Sequence, residues 1–484
     1  MLSKWLKFNS CFGNGTKWIS RNNCQLGLKN YINLFNISFA MKIPTQPPNV
    51  DNYISELLKS GNADKLRQII NGQFAPIDAK ERYLHWDKLQ HLSPPTNFTT
   101  TDYWVATKLA RQPLYKTLPL FDKYQKPFRF ALPDNVLKKL DWIDKTINVH
   151  FSNHNILNHP QGRKSHLLDA LIEEAISSSQ LEGASTTRII AKKMLRQGRK
   201  PQNQSEQMIF NNYNAMQFIQ DYKNEPLTPS LVFELHRIFT EKTLNNPKAA
   251  GHFRTPTDNI HVVSGQHSQV LHTPPNAEEL PDRLQALCRF ANDTNSSLFI
   301  PSLTKAIILH FMLAYDHPFI DGNGRTARAI FYWATINQSY WLMAFTSISQ
   351  IIKKTPAQYA RAFLHTETDD NDTTYFIIHQ LEVIENAIKQ LHQYLANQAD
   401  NIEKVEKLLE NTKIAGQLNQ RQLALLEHAI KNPHAIYTIQ EHQKANGISY
   451  QTARQDLLKM AEKMLLRQRK IGKSIIFVSP SDIF

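Results

Sequence analysis

The sequence predicts a mainly α-helical chain with one β-hairpin inside its helical body and a small C-terminal domain of three helices and a second hairpin. Three observations carry this. Apolar residues recur at helical spacing through most of Pro133 to Ala396. β-Branched residues alternate on either side of Ser264-Gly265. After Thr412 the pattern changes to short amphipathic helices followed by a basic, alternating stretch.

Residues 1–45 stand apart. They carry Lys4, Lys7, Lys17, Arg21, Lys29 and Lys42 without a single acid, and they lack a sustained apolar period. One arginine is too few for a typical transit peptide, and there is no apolar core of secretory length. We therefore set this extension outside the fold, with Met41 as the working initiator. Pro44 to Pro48 form an extended linker. Within residues 46–130, Ile54, Leu57, Leu58, Leu66, Ile69 and Ile70 predict a helix over 51–72. The aromatics at Trp86, Trp104, Phe128 and Phe130 are expected in a core rather than a binding groove.

Residues 131–396 form the helical body. Helices are expected over 136–147, 165–181, 187–195, 206–222, 229–240 and 281–292. The hairpin lies between the last two, with Ile260-His261-Val262-Val263 on one arm and Val270-Leu271-His272 on the other. Further helices follow over 302–315, 326–336, 347–363 and 374–396. The acidic loop Asp369 to Thr373 is read as a favourable flank to the last helix, not as a metal site.

A polar linker helix over 397–412 leads to the domain at 413–484. Its helices are expected over 421–430, 438–445 and 449–460, before a hairpin from Arg467 to Val478 that turns at Gly472. That order is the order of a winged helix-turn-helix. Arg454, Lys459, Lys463, Arg467, Arg469, Lys470 and Lys473 would meet DNA phosphates along the third helix and wing, or stay solvated while the domain docks a protein. The residues leave both open.

The chemistry is concentrated in His317-Pro-Phe-Ile-Asp321-Gly-Asn-Gly-Arg325-Thr-Ala-Arg328, between two predicted helices. Gly322 and Gly324 let backbone approach a ligand closely, and the start of the second helix offers unpaired N–H groups to an anion. Asp321 is a hard oxygen ligand of the kind that shares Mg²⁺ with substrate phosphates. Arg325 and Arg328 are three apart and can fork onto phosphate oxygens. His317 is the one residue in the stretch that accepts a proton near neutral pH. Together they suit a nucleoside triphosphate whose phosphorus is attacked by a deprotonated hydroxyl. No Gly-Lys-Ser/Thr follows, so this is not a Walker loop.

The stretch resembles the signature of the Fic-domain family, H-P-F-x-[D/E]-G-N-G-R-x-x-R, with no departure at any specified position. The resemblance implies a Fic-type helical core and transfer of AMP from ATP to a Ser, Thr or Tyr hydroxyl of a target protein. It implies His317 as base, Asp321 as Mg²⁺ ligand, and Asn323 with the Gly322 and Gly324 backbone as an anion hole. Arg325 and Arg328 would hold the outer phosphates, and Phe319 would anchor the loop. Relatives that transfer the γ-phosphate instead have Lys where this chain has Gly324, which argues against a kinase. The hairpin at Ile260 to Val263 matches the family's flap, which clamps a target segment by strand addition. Ser178-x-x-x-Glu182-Gly183, ending the helix over 165–183, matches its inhibitory motif, with Glu182 expected to occupy Arg328. Two alternatives remain: removal of AMP with Glu182 positioning a water, and a DNA-binding regulator that senses nucleotide and catalyses little.

Composition bounds the rest. At 484 residues the chain has room for about three domains. No apolar run approaches the roughly 18 residues of a membrane span, so no membrane partner is expected. Cys11, Cys24 and Cys288 give no metal or disulfide framework, which fits a reducing, cytoplasmic setting. Of the net +14, six charges lie in residues 1–50 and six in 413–484, which leaves two for the middle; polyanion binding is expected at the ends. The target's identity and any homodimer are not readable.

Overall fold

The protein is known here as a computed structural model, which describes residues 31–33, 42–72, 74–147, 160–264, 269–294, 297–411, 417–431, 435–471 and 474–479. At its centre are two helices, Ser302–Asp316 and Asn323–Asn337, joined by the short loop that holds the motif. Both are buried on nearly every face, as helices apolar all round must be. Helices Gln204–Asp221 and Pro229–Thr240 pack on the second, and Leu280–Asn292 and the long helix Thr374–Asn411 pack on the first. Pro160–Leu181 lies against Gln204–Asp221 and the short helix Ile348–Ile352. One continuous apolar core fills the space between them, from Phe128 and Phe130 to Phe376 and Leu395.

The helical expectations hold in kind and shift at the ends. The helix expected over 51–72 is two helices, Val50–Lys59 and Ala63–Asn71, because Gly61 takes a φ of +75° between them. The one expected over 347–363 is also two, Ile348–Ile352 and Pro356–Thr368, with Pro356 opening the second. The motif helix begins at Asn323, three residues before the expected start, which brings Asn323, Gly324 and Arg325 into its first turn. Thr374–Asn411 runs without a break through the polar 397–411 stretch.

Eight strands are described. β1 (Tyr31–Asn33), β4 (His261–Ser264) and β5 (Gln269–His272) form one sheet in the order β1-β4-β5. The pair β4–β5 is the expected hairpin, antiparallel, with an irregularity between Val262 and Val263. Its turn at Gly265 lies outside the described residues. β1 runs parallel to β4, with Tyr31 opposite His261, so three residues of the extension set outside the fold do meet it. β2 (Lys116–Phe121) and β3 (Pro127–Phe130) form a hairpin that the sequence reading does not include, since it places Phe128 and Phe130 in a core without naming a strand. They are core, fully buried, but on a strand.

The acidic loop is more than a helix flank. Asp369 forms a buried ion pair with Lys108 at 2.7 Å, and Asp372 accepts from the hydroxyls of Tyr83 at 2.6 Å and Tyr115 at 2.9 Å. Its other oxygen caps the following helix at the Thr374 N–H. The loop therefore fastens the N-terminal region to the helical body. The C-terminal part has its own core around Leu426, Leu457, Met460, Leu466 and Phe477. Its third sheet has the order β6-β8-β7, from β6 (Ile436–Thr438), β7 (Arg467–Ile471) and β8 (Ser474–Val478), all antiparallel. Gly472, the expected turn, lies outside the described residues.

Candidate active site

His317 ends the first central helix in the left-handed region, at φ +46°. Its Nδ1 lies 3.2 Å from the Ala314 carbonyl, which can only accept, so Nδ1 carries the proton. Nε2 is then the lone-pair nitrogen, buried and without a hydrogen-bond partner. Burial pushes the imidazole down to about 3, with the Ala314 carbonyl partly opposing, so it is neutral at physiological pH. This is a base held with its basic nitrogen free.

The loop after it is fixed by groups on either side. Asn323 clasps Phe319, its Oδ1 accepting from the Phe319 N–H at 2.9 Å and its Nδ2 donating to the Phe319 carbonyl at 2.8 Å. The side chain expected in an anion hole is thus committed to the loop. What remains for an anion is backbone: Asn323, Gly324 and Arg325 precede the first bond of the helix, from Thr326 N–H to the Gly322 carbonyl at 3.0 Å. Phe319 is fully buried, as expected of an anchor, and stacks on His236 at 3.8 Å.

Three supporting side chains escaped the sequence reading. His236 accepts the Gly251 N–H at Nδ1 (2.9 Å) and donates from Nε2 to the Asp321 carbonyl (2.9 Å), which spans the loop. Arg254 donates from Nε to the His317 carbonyl at 2.8 Å and from Nη2 to the Pro275 carbonyl at 2.6 Å. His272 donates from Nε2 to the Tyr315 carbonyl at 2.7 Å while its Nδ1 meets Glu367 at 2.8 Å. The segment Gly251 to Arg254 precedes the hairpin in the chain. Nothing in its spacing says that it grips the loop.

Asp321 keeps its side chain about half exposed, with Oδ1 accepting from the Gly322 N–H at 2.6 Å. The two arginines part company. Arg325 is buried behind the loop, donating from Nη1 to the Phe239 carbonyl at 2.9 Å, with Nη2 3.6 Å from Asp321 Oδ2 in a longer ion pair and Nε lacking a hydrogen-bond partner. Arg328 donates from Nε to Ser178 Oγ at 3.0 Å and from Nη2 to the Ser178 carbonyl at 3.1 Å and Glu182 Oε1 at 2.9 Å. Burial would lower its pKa, but the Glu182 carboxylate and its neighbours hold it above the ordinary value.

Glu182 lies beside Arg328, just past the end of the helix Pro160–Leu181. Pro160–Leu181 is pinned by Glu174, which accepts from Tyr332, Ser347 and Ser349 in the interior. Gly183 follows at φ +95°, a conformation a side chain would resist, and the chain turns away. Glu182, His317, Asp321, Gly322, Asn323, Gly324 and Arg328 line one cleft that opens to solvent. From the hairpin, Val262, Leu271 and His272 reach it; Ile260, His261 and Val263 do not line it. Tyr359 and Phe363 close an apolar end. Among the described residues no group of three or more His, Cys, Asp or Glu could hold a metal ion. A lone, half-exposed Asp321 instead suits an ion that takes most of its ligands from phosphate and water.

The Fic/DOC family profile matches residues 226–335, which span the hairpin and the motif but neither Glu182 nor the C-terminal domain. Protein adenylyltransferase fic-1 of Caenorhabditis elegans is 36% identical over 101 residues, 20% of this chain and 17% of that protein. Protein adenylyltransferase Fic of Nematostella vectensis is 31% identical over 108 residues, 22% of each chain. This chain thus spans under a quarter of the length of these relatives. Among solved structures, a Fic family protein from Desulfovibrio desulfuricans G20 covers 72% of this chain and 95% of its own, at 18% identity and a TM-score of 0.45.

Proposed function

We propose, for a chain that carries a Fic domain, that it transfers AMP from ATP to a Ser, Thr or Tyr hydroxyl of a target protein and is inhibited in cis by Glu182. One observation carries the reading: the His317 imidazole presents an unpartnered, unprotonated Nε2 in the cleft that Asn323 and Gly324, at the open start of the motif helix, also line. The target oxygen attacks the α-phosphorus, its proton passes to Nε2, and the bond to the β-phosphate oxygen breaks to release diphosphate. The negative charge of bound ATP beside His317 raises its affinity for that proton above its value in the empty cleft. The N–H groups opening the Asn323 helix, with Arg328, take the phosphates, and Arg325 adds its charge from behind. Asp321 would hold Mg²⁺, which neutralises phosphate charge when bound. The β4–β5 hairpin would align the target by strand addition; β1 now occupies the β4 edge, so a target strand adding there takes its place.

Glu182 lines the same cleft as His317, which also supports the reverse reaction, with Glu182 orienting a water that removes AMP. Incubation with labelled ATP and lysate, then mass spectrometry of the modified residue, tests both. AMP on a target hydroxyl that requires His317 supports transfer. No AMP incorporation by either wild type or Glu182→Gly rules it out, and loss of AMP from a modified target, dependent on Glu182, makes removal the net reaction.

A further inference from the structure

The C-terminal domain carries a surface that the AMP-transfer chemistry does not use. Its second and third helices, Ile439–Asn446 and Tyr450–Glu462, are joined by a tight turn in which Gly447 takes φ +61° and Ser449 caps the third helix at the Thr452 N–H. The third helix buries Ala453, Asp456, Leu457 and Met460 and exposes Tyr450, Gln451, Arg454, Gln455 and Lys459. Its one acid before Glu462 is removed from that face. Asp456 accepts from Asn419 at 2.8 Å and from Arg421 Nε at 2.9 Å, with His442 at 3.3 Å. Up to Lys459 the outer face is therefore mainly amide and cation, with Leu458 half-buried and the carboxylate of Glu462 exposed in the last turn. Beside it β7 exposes four residues in a row, Arg467, Gln468, Arg469 and Lys470, three of them cationic.

We infer that this domain binds duplex DNA, with the Tyr450–Glu462 helix in the major groove and the β7–β8 wing against the phosphate backbone. The chemistry decides against a docked protein, since an outer helix face that buries against protein needs apolar anchors, and this one has a single aromatic at its end. It decides against duplex RNA, whose major groove is too narrow to admit a helix. Gln451 and Gln455 lie four apart on one face, where their amides can pair with adenine edges, and Arg454 between them suits guanine. The cations contact phosphate and displace counterions.

Fluorescence anisotropy of full-length protein on a labelled duplex of random sequence tests this. With about four phosphate contacts the affinity should fall by roughly two decades between about 50 and about 200 mM salt. Arg469→Ala with Lys470→Ala should lower affinity on every sequence and flatten that slope. Gln451→Ala with Gln455→Ala should leave random-sequence binding unchanged but abolish enrichment of any motif selected from a random pool. Absence of binding at about 50 mM salt, or affinity unchanged by Arg454→Ala, Lys459→Ala, Arg469→Ala and Lys470→Ala together, overturns the inference. His317→Ala should bind DNA as wild type does, so failure of the AMP-transfer reading leaves this result standing.

Discussion

In the two proposals above the protein offers cations to phosphate in two places, and it builds them in opposite ways. Arg325 and Arg328 are about 1% exposed, whereas Arg454, Arg469 and Lys470 face water. A buried guanidinium must be matched at all times, because an unpaired charge in the interior costs several kcal/mol. In the absence of nucleotide Arg328 is matched by Ser178 and Glu182. An exposed cation needs no such partner. The comparison teaches how the proposed inhibition would follow from burial: the enclosed site holds an internal anion, and a nucleotide at Arg328 would have to displace it. The open face would have only counterions to displace, so salt would govern it.

The largest effect belongs to the enclosed site. His317→Ala should lower AMP transfer by about 10²- to 10⁴-fold, the usual contribution of a positioned base, while ATP binding stays within a few-fold. Labelled AMP incorporation and nucleotide titration separate the two quantities. Transfer at a near-normal rate would remove His317 as the base and leave the comparison without a catalytic side.

Salt sharpens the contrast most directly. Across the range that costs the C-terminal face roughly two decades in DNA affinity, nucleotide affinity at the buried arginines should change far less. Parallel titrations on one preparation give both slopes. Equal slopes would mean that Arg328 is reached by counterions and is not enclosed.

Glu182→Gly comes next. A charge-assisted bond of roughly 1.5–3 kcal/mol holds Glu182 on Arg328, so its loss should raise transfer by about one to two decades. Self-modification at fixed ATP reads the gain, and Arg328→Ala added to the variant should abolish it. A folded Glu182→Gly variant no more active than wild type ends the inhibitory reading.

The two regions also differ in how much of them the sequence exposed. The spacing from His317 to Arg328 placed a base, a carboxylate and a helix start in one loop, and the fold keeps them there. It did not show that the Asn323 side chain bridges Phe319 N–H and C=O, because such a side chain looks no different in sequence from one that awaits a ligand. It grouped Arg325 with Arg328 because they share a helix face, yet the neighbouring Pro229–Thr240 helix takes one of them through the Phe239 carbonyl. His236, Arg254 and His272 were invisible because their roles depend on distant carbonyls. In the C-terminal domain the three helices and the wing were legible from period alone. The short β6 was not, because three residues carry no period.

Acid should separate the regions by stability. His85 and His365 are pushed by burial to about 3, and His236 and His379 to about 4, all outside the C-terminal domain. These groups stay neutral in the fold but protonate near 6.5 when unfolded. The unfolded chain therefore binds more protons between about 6.5 and 4, so stability is present above 6.5 and declines as pH falls through that window. Near pH 5.5 each such histidine should lower stability by about 1.4 kcal/mol. Thermal unfolding from pH 7.5 to 4.5 checks it; a flat transition temperature over that range would show these imidazoles reach water.

The smallest effect probes the contact between the buried cation and its internal anion. Gly324 is not at positive φ, so its glycine is not required by the backbone. It is required by space: a Cβ there would lie 2.2 Å from Glu182 Oε1 and 3.0 Å from Arg328 Nη1. Gly324→Ala in the wild type should therefore push the carboxylate off Arg328, offsetting the gain of up to about 1 kcal/mol that alanine brings to a helix. With Glu182→Gly in place the nearest obstacle is gone, and the same substitution should become stabilising by up to about 1 kcal/mol. Activity should move the other way. Where Glu182 is absent the added methyl can only obstruct the phosphates, so Gly324→Ala should reduce transfer more in that background than in the wild type. A double-mutant cycle of unfolding and transfer rate measures both. Additive effects in stability would mean that Glu182 does not occupy the space above Gly324 in solution, and the enclosed anion would then lie elsewhere.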